Sequence, residues 1–208
     1  MFDGPAGHLV ASIMARMNRQ AELEAIEQLN PSPESRILVI GFGSGVGLKA
    51  LAGRLPQGRI LGVDPSAAMN ASAARRCRTE MDSGRIRLVR STAEHTGEPD
   101  ASFDGAIAVN VLMLCNPISA TARELSRVLK PGAELVSLTH DWALKRHSGS
   151  VASWLAATCA AFKHSGFVEL RHFAAEAEKG ASVAFIARNG VRHPEHHLQK
   201  DPESNQAP

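Results

Sequence analysis

Cysteine is scarce and poorly placed for a cross-link: Cys77, Cys115 and Cys159 are odd in number, far apart and form no CxxC pair. That spacing argues against a disulfide framework and a zinc knot, and reads as small core side chains in a reducing compartment. Charge of one sign is missing as a block, because 23 basic and 21 acidic residues are spread along 208 positions to a formal net charge of +2. No tract therefore marks a nucleic-acid or membrane surface. No apolar run approaches the length that crosses a bilayer, and the Met-Phe-Asp start has neither a basic n-region nor an apolar h-region. A cytoplasmic location with no membrane partner is expected. The sequence has no internal repeat, and its 44% hydrophobic content suits the core of one domain.

Periodicity supplies the organisation. Residues 8–29 read as a helix, since Leu9, Ile13 and Met17 recur every fourth position and Ile26 and Leu29 continue the habit. After Asn30-Pro31-Ser32-Pro33, apolar or β-branched runs at Arg36–Ile40, Arg59–Val63, Arg85–Val89, Gly105–Val111 and Glu134–Leu138 read as five strands. Helical stretches at Leu48–Leu55, Ala67–Met81 and Ser119–Leu129 lie between them. Strands alternating with helices require crossover connections, and hence a parallel sheet covered on both faces. The end of the chain breaks this rhythm. After a helix at Val151–His164, only Ala174–Ala181 separates Phe167–Phe173 from Ser182–Arg188. A parallel crossover needs roughly 10–12 residues or more, so this pair is expected to be antiparallel. The fold class is α/β: a doubly wound, Rossmann-like sheet of five parallel strands plus an antiparallel C-terminal pair. Residues 191–208 lack apolar periodicity and read as a disordered tail.

Chemistry concentrates in the turn Gly41-Phe42-Gly43-Ser44-Gly45-Val46-Gly47, directly after the first strand and before a helix. Glycines there permit a sharp turn and close approach of a ligand, while N–H groups at the helix start can hold an anionic group. A P-loop would need Gly-Lys-Ser/Thr, and here Lys49 stands between Leu48 and Ala50. Gly45 to Ala50 formally satisfies the dinucleotide fingerprint G-x-G-x-x-[GA], which keeps a nicotinamide-dependent oxidoreductase as an alternative. Its register is wrong, because Gly45 lies several residues past Ile40 where the strand ends. Asp64 closes the second strand, where a carboxylate can accept hydrogen bonds from both hydroxyls of a ribose; the competing role is a helix cap within Asp64-Pro65-Ser66.

Four ordered blocks, Val39-Ile40-Gly41-Phe42-Gly43-Ser44-Gly45, Gly62-Val63-Asp64-Pro65-Ser66-Ala67-Ala68-Met69, Ser102-Phe103-Asp104-Gly105-Ala106 and Arg127-Val128-Leu129-Lys130-Pro131-Gly132, carry a family resemblance. Together they resemble the class I S-adenosylmethionine-dependent methyltransferases of the small, UbiE-like type, over roughly residues 36–188. The resemblance implies S-adenosyl-L-methionine as cofactor and a division into an N-terminal helical lid (1–34), a methyltransferase domain (35–190) and the tail. It implies that Gly41, Phe42, Gly43 and Gly45 pass the methionine part of the cofactor and that Asp64, with Pro65, grips the ribose. Met69, Thr92 and Ala93 would border the adenine, and Asn110 would end the fourth strand beside the sulfonium. Lys130-Pro131-Gly132 is a turn without chemistry. Two departures stand out. The family's usual acid two positions before the first glycine is Val39 here, and the acid against the adenine amino group corresponds to Thr92, with Glu94 nearby.

Methyl transfer from a sulfonium asks the protein mainly to align acceptor and methyl and to exclude water. Where the acceptor must lose a proton, His140 and Asp141 after the fifth strand are the candidate catalytic residues. The substrate narrows by absence. The chain has no tyrosine, and Asn110 is followed by Val111-Leu112-Met113 rather than the Pro-Pro-aromatic block of exocyclic-amine base methylation. A Pro-Cys nucleophile is also missing. A basic patch from Arg75, Arg76, Arg78, Arg85, Arg87 and Arg90 reads more simply as a solvated face. A small-molecule acceptor is expected, with no nucleic-acid partner, in a monomer or homodimer. His193, His196 and His197 lie in the polar tail and read as solvated, so no metal site is expected. A cofactor-binding protein without transferase activity is the other alternative.

Overall fold

The computed structural model describes residues 18–148, 150–177 and 180–190. The expected lid residues 1–17 and the tail after 190 lie outside them. Seven strands, β1 (Arg36–Ile40), β2 (Arg59–Val63), β3 (Ile86–Val89), β4 (Phe103–Val109), β5 (Leu129–His140), β6 (Phe167–Ala177) and β7 (Gly180–Asn189), form one sheet in the order β3-β2-β1-β4-β5-β7-β6. β1 to β5 are parallel. β7 lies antiparallel between β5 and β6, as the short link between the last two strands predicts.

Both sheet faces are covered, and β1 shows why. Its successive side chains point to opposite faces. Leu38 and Ile40 join one apolar cluster with Ala122 and Leu125 of helix α5 (Ile118–Val128) and Trp154 and Phe162 of α7 (Val151–His164). Ile37 and Val39 join the other, with Ala21, Ala25 and Ile26 of α1 (residues 18–29), Leu48 and Leu51 of α2 (Val46–Arg54), and Ala73 of α3 (Ala67–Arg76). A strand buried on both faces must be apolar throughout, which is how Ile37-Leu38-Val39-Ile40 reads.

Several elements differ from their expected extents, β6 and β7 by running on into the link expected at Ala174–Ala181. The helix expected over Ala67–Met81 is two, because the chain breaks at Cys77 (φ −103°, ψ 20°) between α3 and the short α4 (Arg78–Asp82). Cys77 is fully buried, with its Sγ 3.6 Å from the Gly45 carbonyl oxygen. β5 starts at Leu129, ahead of Lys130-Pro131-Gly132, since Leu129 pairs with Phe103 and the turn is absorbed as an irregularity in the ladder. It runs on to His140, which pairs with Ser182 of β7. β4 ends at Val109, so Asn110 and Val111 lie beyond it.

α2 and α3 pack closely because Gly45 carries no side chain. A Cβ there would lie 2.8 Å from Ala73 Cβ and 2.9 Å from its Cα, on a backbone held at φ +81°. Gly45→Ala is expected to cost on the order of 3 kcal/mol, from left-handed strain plus overpacking. Gly53, inside α2, has open space around its Cα, so Gly53→Ala is expected to be neutral or stabilising by up to about 1 kcal/mol. Urea denaturation midpoints compare the two.

Candidate active site

The carboxyl ends of β1, β2 and β4 open into a cleft of ≈ 530 Å³. Ligands of doubly wound sheets bind outside this edge, where neighbouring connections leave in opposite directions. At Gly41 the β1 ladder makes its last bond, an N–H donated to the Val63 carbonyl at 2.7 Å. Its φ is +63°, and a Cβ would lie 2.2 Å from Val111 Cγ2, so only glycine lets this turn rest against the loop after β4. Gly43 also has positive φ, but nothing lies within 4 Å of the place its Cβ would take. The two glycines therefore do different work: the first admits a neighbouring side chain, and the second leaves room. Gly45 serves helix packing, and the Phe42 ring turns into the core against Gly62. Of the turn residues expected at the cofactor, Gly41 lines the cleft, and Phe42, Gly43 and Gly45 do not.

Asp64 joins this turn to the next loop. It is 6% exposed. Its Oδ2 accepts the Gly43 N–H at 3.1 Å and its Oδ1 the Ser66 N–H at 2.9 Å. Burial raises the Asp64 pKa, and the two N–H donors pull it back. The N-cap of α3 is Ser66, whose hydroxyl accepts from the Met69 N–H. Asp64 is thus released from the capping role that its sequence context also allowed. Met69 lies outside both core clusters and lines the cleft with Pro65, Thr92, Ala93 and Glu94. Glu94 also accepts from the Thr121 hydroxyl.

Asn110 follows β4 at φ +55° and also lines the cleft. Its Oδ1 accepts the His140 backbone N–H at 2.9 Å, and its Nδ2 donates to Asn18 Oδ1 at 3.0 Å. The same Nδ2 lies 2.9 Å from His140 Nδ1. His140 is the last residue of β5 and is 3% exposed. Burial lowers its pKa, so the neutral ring can accept the amide hydrogen. His140 does not line the cleft and meets it only through Asn110. Asp141 opens α6 (Asp141–Ser148), where the helix dipole favours a carboxylate, and it too lies off the cleft wall.

Sequence reasoning missed Asn18, Val111, Leu114, Cys115 and Asn116 as parts of the wall. It also missed Glu22. A void of ≈ 20 Å³ behind the cleft is lined by Glu22 and otherwise by glycine and apolar residues. Glu22 retains some surface overall, yet its Oε2 is sealed from solvent and has no hydrogen-bond partner among the described residues. Burial pushes its pKa up to about 8, against the lowering effects of Arg76 and the Gly47 N–H. A signal was present: Glu22 falls on the buried stripe of α1, four residues before Ile26 and seven before Leu29, where a charge is out of place. His193, His196 and His197 lie outside the described residues, and among the described residues no three metal-ligating side chains cluster.

Residues 37–132 match the family described as a methyltransferase domain. The uncharacterized methyltransferase YdaC of Bacillus subtilis (strain 168) is 27% identical over 158 residues, covering 76% of this chain and 85% of that protein. An O-methyltransferase of Pyrenophora dematioidea is 29% identical over 54% of this chain and 42% of that protein, so the chain spans under half of the latter's length. A solved S-adenosylmethionine-dependent methyltransferase from Aquifex aeolicus has the same fold, with a TM-score of 0.67 at 16% identity, over 84% of this chain and 92% of that one. By the sequence match of residues 37–132 and by its fold, the chain is similar to the class I S-adenosylmethionine-dependent methyltransferases.

The raised Glu22 pKa has a stability consequence. Between the ordinary carboxyl value of 4.5 and about 8, the folded state holds a proton that the unfolded state has released, so stability falls as pH rises through this window. Glu22→Gln removes that titration. Its thermal melting should decline less than wild type from mildly acidic to mildly alkaline pH, as differential scanning calorimetry of the two proteins would show.

Proposed function

We propose that the cleft binds S-adenosylmethionine and that the enzyme transfers its methyl group, in line, to a small-molecule acceptor. The observation that carries this reading is the Gly43 N–H to Asp64 Oδ2 bond, which sets an open glycine turn and a strand-end carboxylate on one wall. Each Asp64 oxygen takes one backbone N–H and keeps acceptor capacity for one hydroxyl of a ribose. Gly41, Gly43 and Gly45 shape the turn, and the empty space over Gly43 is where a ligand backbone can pass. Met69, Pro65, Thr92 and Ala93 form the side suited to a purine, with the Thr92 hydroxyl or Glu94 able to accept from its amino group.

The bound cofactor supplies a methyl group already activated on a sulfonium. The chain's own task is alignment and exclusion of water. Asn110 stands on the cleft wall with its amide fixed on both sides, by Asn18 and by His140. His140 is therefore best read as a positioning residue for Asn110 rather than as a base. Among the described residues no hydrogen bond or cleft contact supports a catalytic role for Asp141. Beyond Asn110, Val111, Leu114, Cys115 and Asn116 make an apolar wall with one amide, suited to a small organic acceptor.

Engagement of the basic residues supports a small acceptor over nucleic acid. Arg76 donates to the Ser44 carbonyl, Arg90 to the Pro65 carbonyl and Arg85 to the Ala52 carbonyl, while Arg78 pairs with Asp82 and Arg87 with Glu98. Asn18 of α1 lines the cleft. This supports residues 1–34 as the lid of the methyltransferase domain.

Calorimetry with S-adenosylhomocysteine tests the reading, with NADH as the competing ligand. Binding of the former and not the latter is expected, and Asp64→Asn should weaken it about 30-fold, corresponding to on the order of 2 kcal/mol. Methyl-labelled cofactor incubated with a cell extract should place label in the small-molecule fraction. Binding without any methyl transfer would leave a cofactor-binding protein instead.

A further inference from the structure

Glu22 lies behind the first glycine of the turn. The small void it lines and the cleft share Ile40, Gly41 and Val109 as a common wall. One helical turn earlier on the same face of α1, Asn18 lines the cleft itself. The carboxylate sits so close to the start of α2 that a Cβ on Gly47 would lie 3.0 Å from Glu22 Cδ. One oxygen accepts the Gly47 N–H, and Oε2, sealed from water, has no partner among the described residues. A buried carboxyl oxygen left unbonded carries a desolvation cost that a cationic ligand group would relieve. Among the residues lining the void, Glu22 is the single titratable one. Arg76 of α3 acts on it electrostatically, but its Nε is already committed to the Ser44 carbonyl at 2.9 Å.

We propose that Glu22 is the ion-pair partner of the ammonium group on the cofactor's amino-acid end, supplied from helix α1 where strand β1 offers only Val39. This rests on the cleft being an S-adenosylmethionine site. Val39 is buried in the cluster formed with Ala21, Ala25 and Ile26 of α1. The helix that covers this apolar position thus brings its own carboxylate to the same end of the strand. The free carboxyl is protonated at neutral pH, since burial holds its pKa at about 8. On binding, the carboxyl gives its proton to the buffer and the resulting carboxylate faces the ammonium, which keeps its own proton. Binding should therefore release close to one proton at neutral pH and strengthen as pH rises toward that value.

Calorimetry of the whole chain in buffers of different ionisation enthalpy reads this directly, using S-adenosylhomocysteine, which carries the ammonium, and 5′-methylthioadenosine, which lacks the amino-acid end. Wild type should release about one proton with the first ligand and none with the second. Glu22→Gln should lose roughly tenfold or more in affinity for S-adenosylhomocysteine, abolish proton release and bind methylthioadenosine within about twofold of wild type. Equal losses for both ligands, unchanged affinity for S-adenosylhomocysteine, or wild-type binding without proton release would each overturn the assignment of Glu22. Failure of wild type to bind S-adenosylhomocysteine at all would overturn the cofactor reading and this inference together. Proton release by wild type needs no variant and stands whatever the stability of Glu22→Gln.

Discussion

One buried carboxylate holds the working edge of this protein together. Asp64 ends β2 and accepts one N–H from the glycine turn after β1 and one from the loop leading into α3. Two loops that leave neighbouring strands are thereby tied at a single side chain. Burial opposes its charge, and the backbone donors are what make an ionised group tolerable there. The cleft wall from Gly41 to Met69 is consequently a consequence of strand register. β1 and β2 pair Ile40 with Val63, so the residues just past each strand end meet at the same height.

How much of this can be read without coordinates depends on whether the signal is local. The five parallel strands were legible because β1, β2 and their neighbours are short apolar runs punctuated by polar turns, and the antiparallel pair was legible from connection length alone. The glycine turn and Asp64 were legible because their spacing is fixed by one strand-helix-strand unit. The break between α3 and α4 at Cys77 was not, since no helix-breaking residue marks it and Cys77 meets Gly45 only in the folded chain. The extension of β5 to His140 also depends on a distant partner, Ser182. That extension moves His140 from a loop into a buried strand end, where its ring serves Asn110. Glu22 was legible in part: a charge on the apolar stripe of α1 with Ile26 and Leu29 is a local signal, but its depth depends on the docking of α1 over Val39.

The two carboxylates at this edge are handled in opposite ways. Asp64 is buried and satisfied, with a donor for each oxygen, whereas Glu22 keeps one sealed oxygen with no partner among the described residues. Sites that bind ligands commonly keep such uncompensated groups at the expense of the free protein's stability. The Asn18–Asn110–His140 chain makes a third arrangement, in which a residue at positive φ is fixed by neighbours from α1 and β5. Helix α1 therefore reaches the cleft through Asn18 and the void behind it through Glu22, besides covering the sheet.

The place of β7 bears on how the chain is made. β6 leaves the ribosome before β7, yet it cannot pair with β5, because β7 belongs between them. The outer edge of β5 thus stays unpaired during synthesis until residues 180–189 have emerged, and an open edge strand is a template for wrong partners. The strands that frame the cleft, β3-β2-β1-β4, are all translated by Val109. The binding half can accordingly assemble while the far side of the sheet is still a nascent chain, leaving its last interior strand to close the molecule like a key placed in an arch.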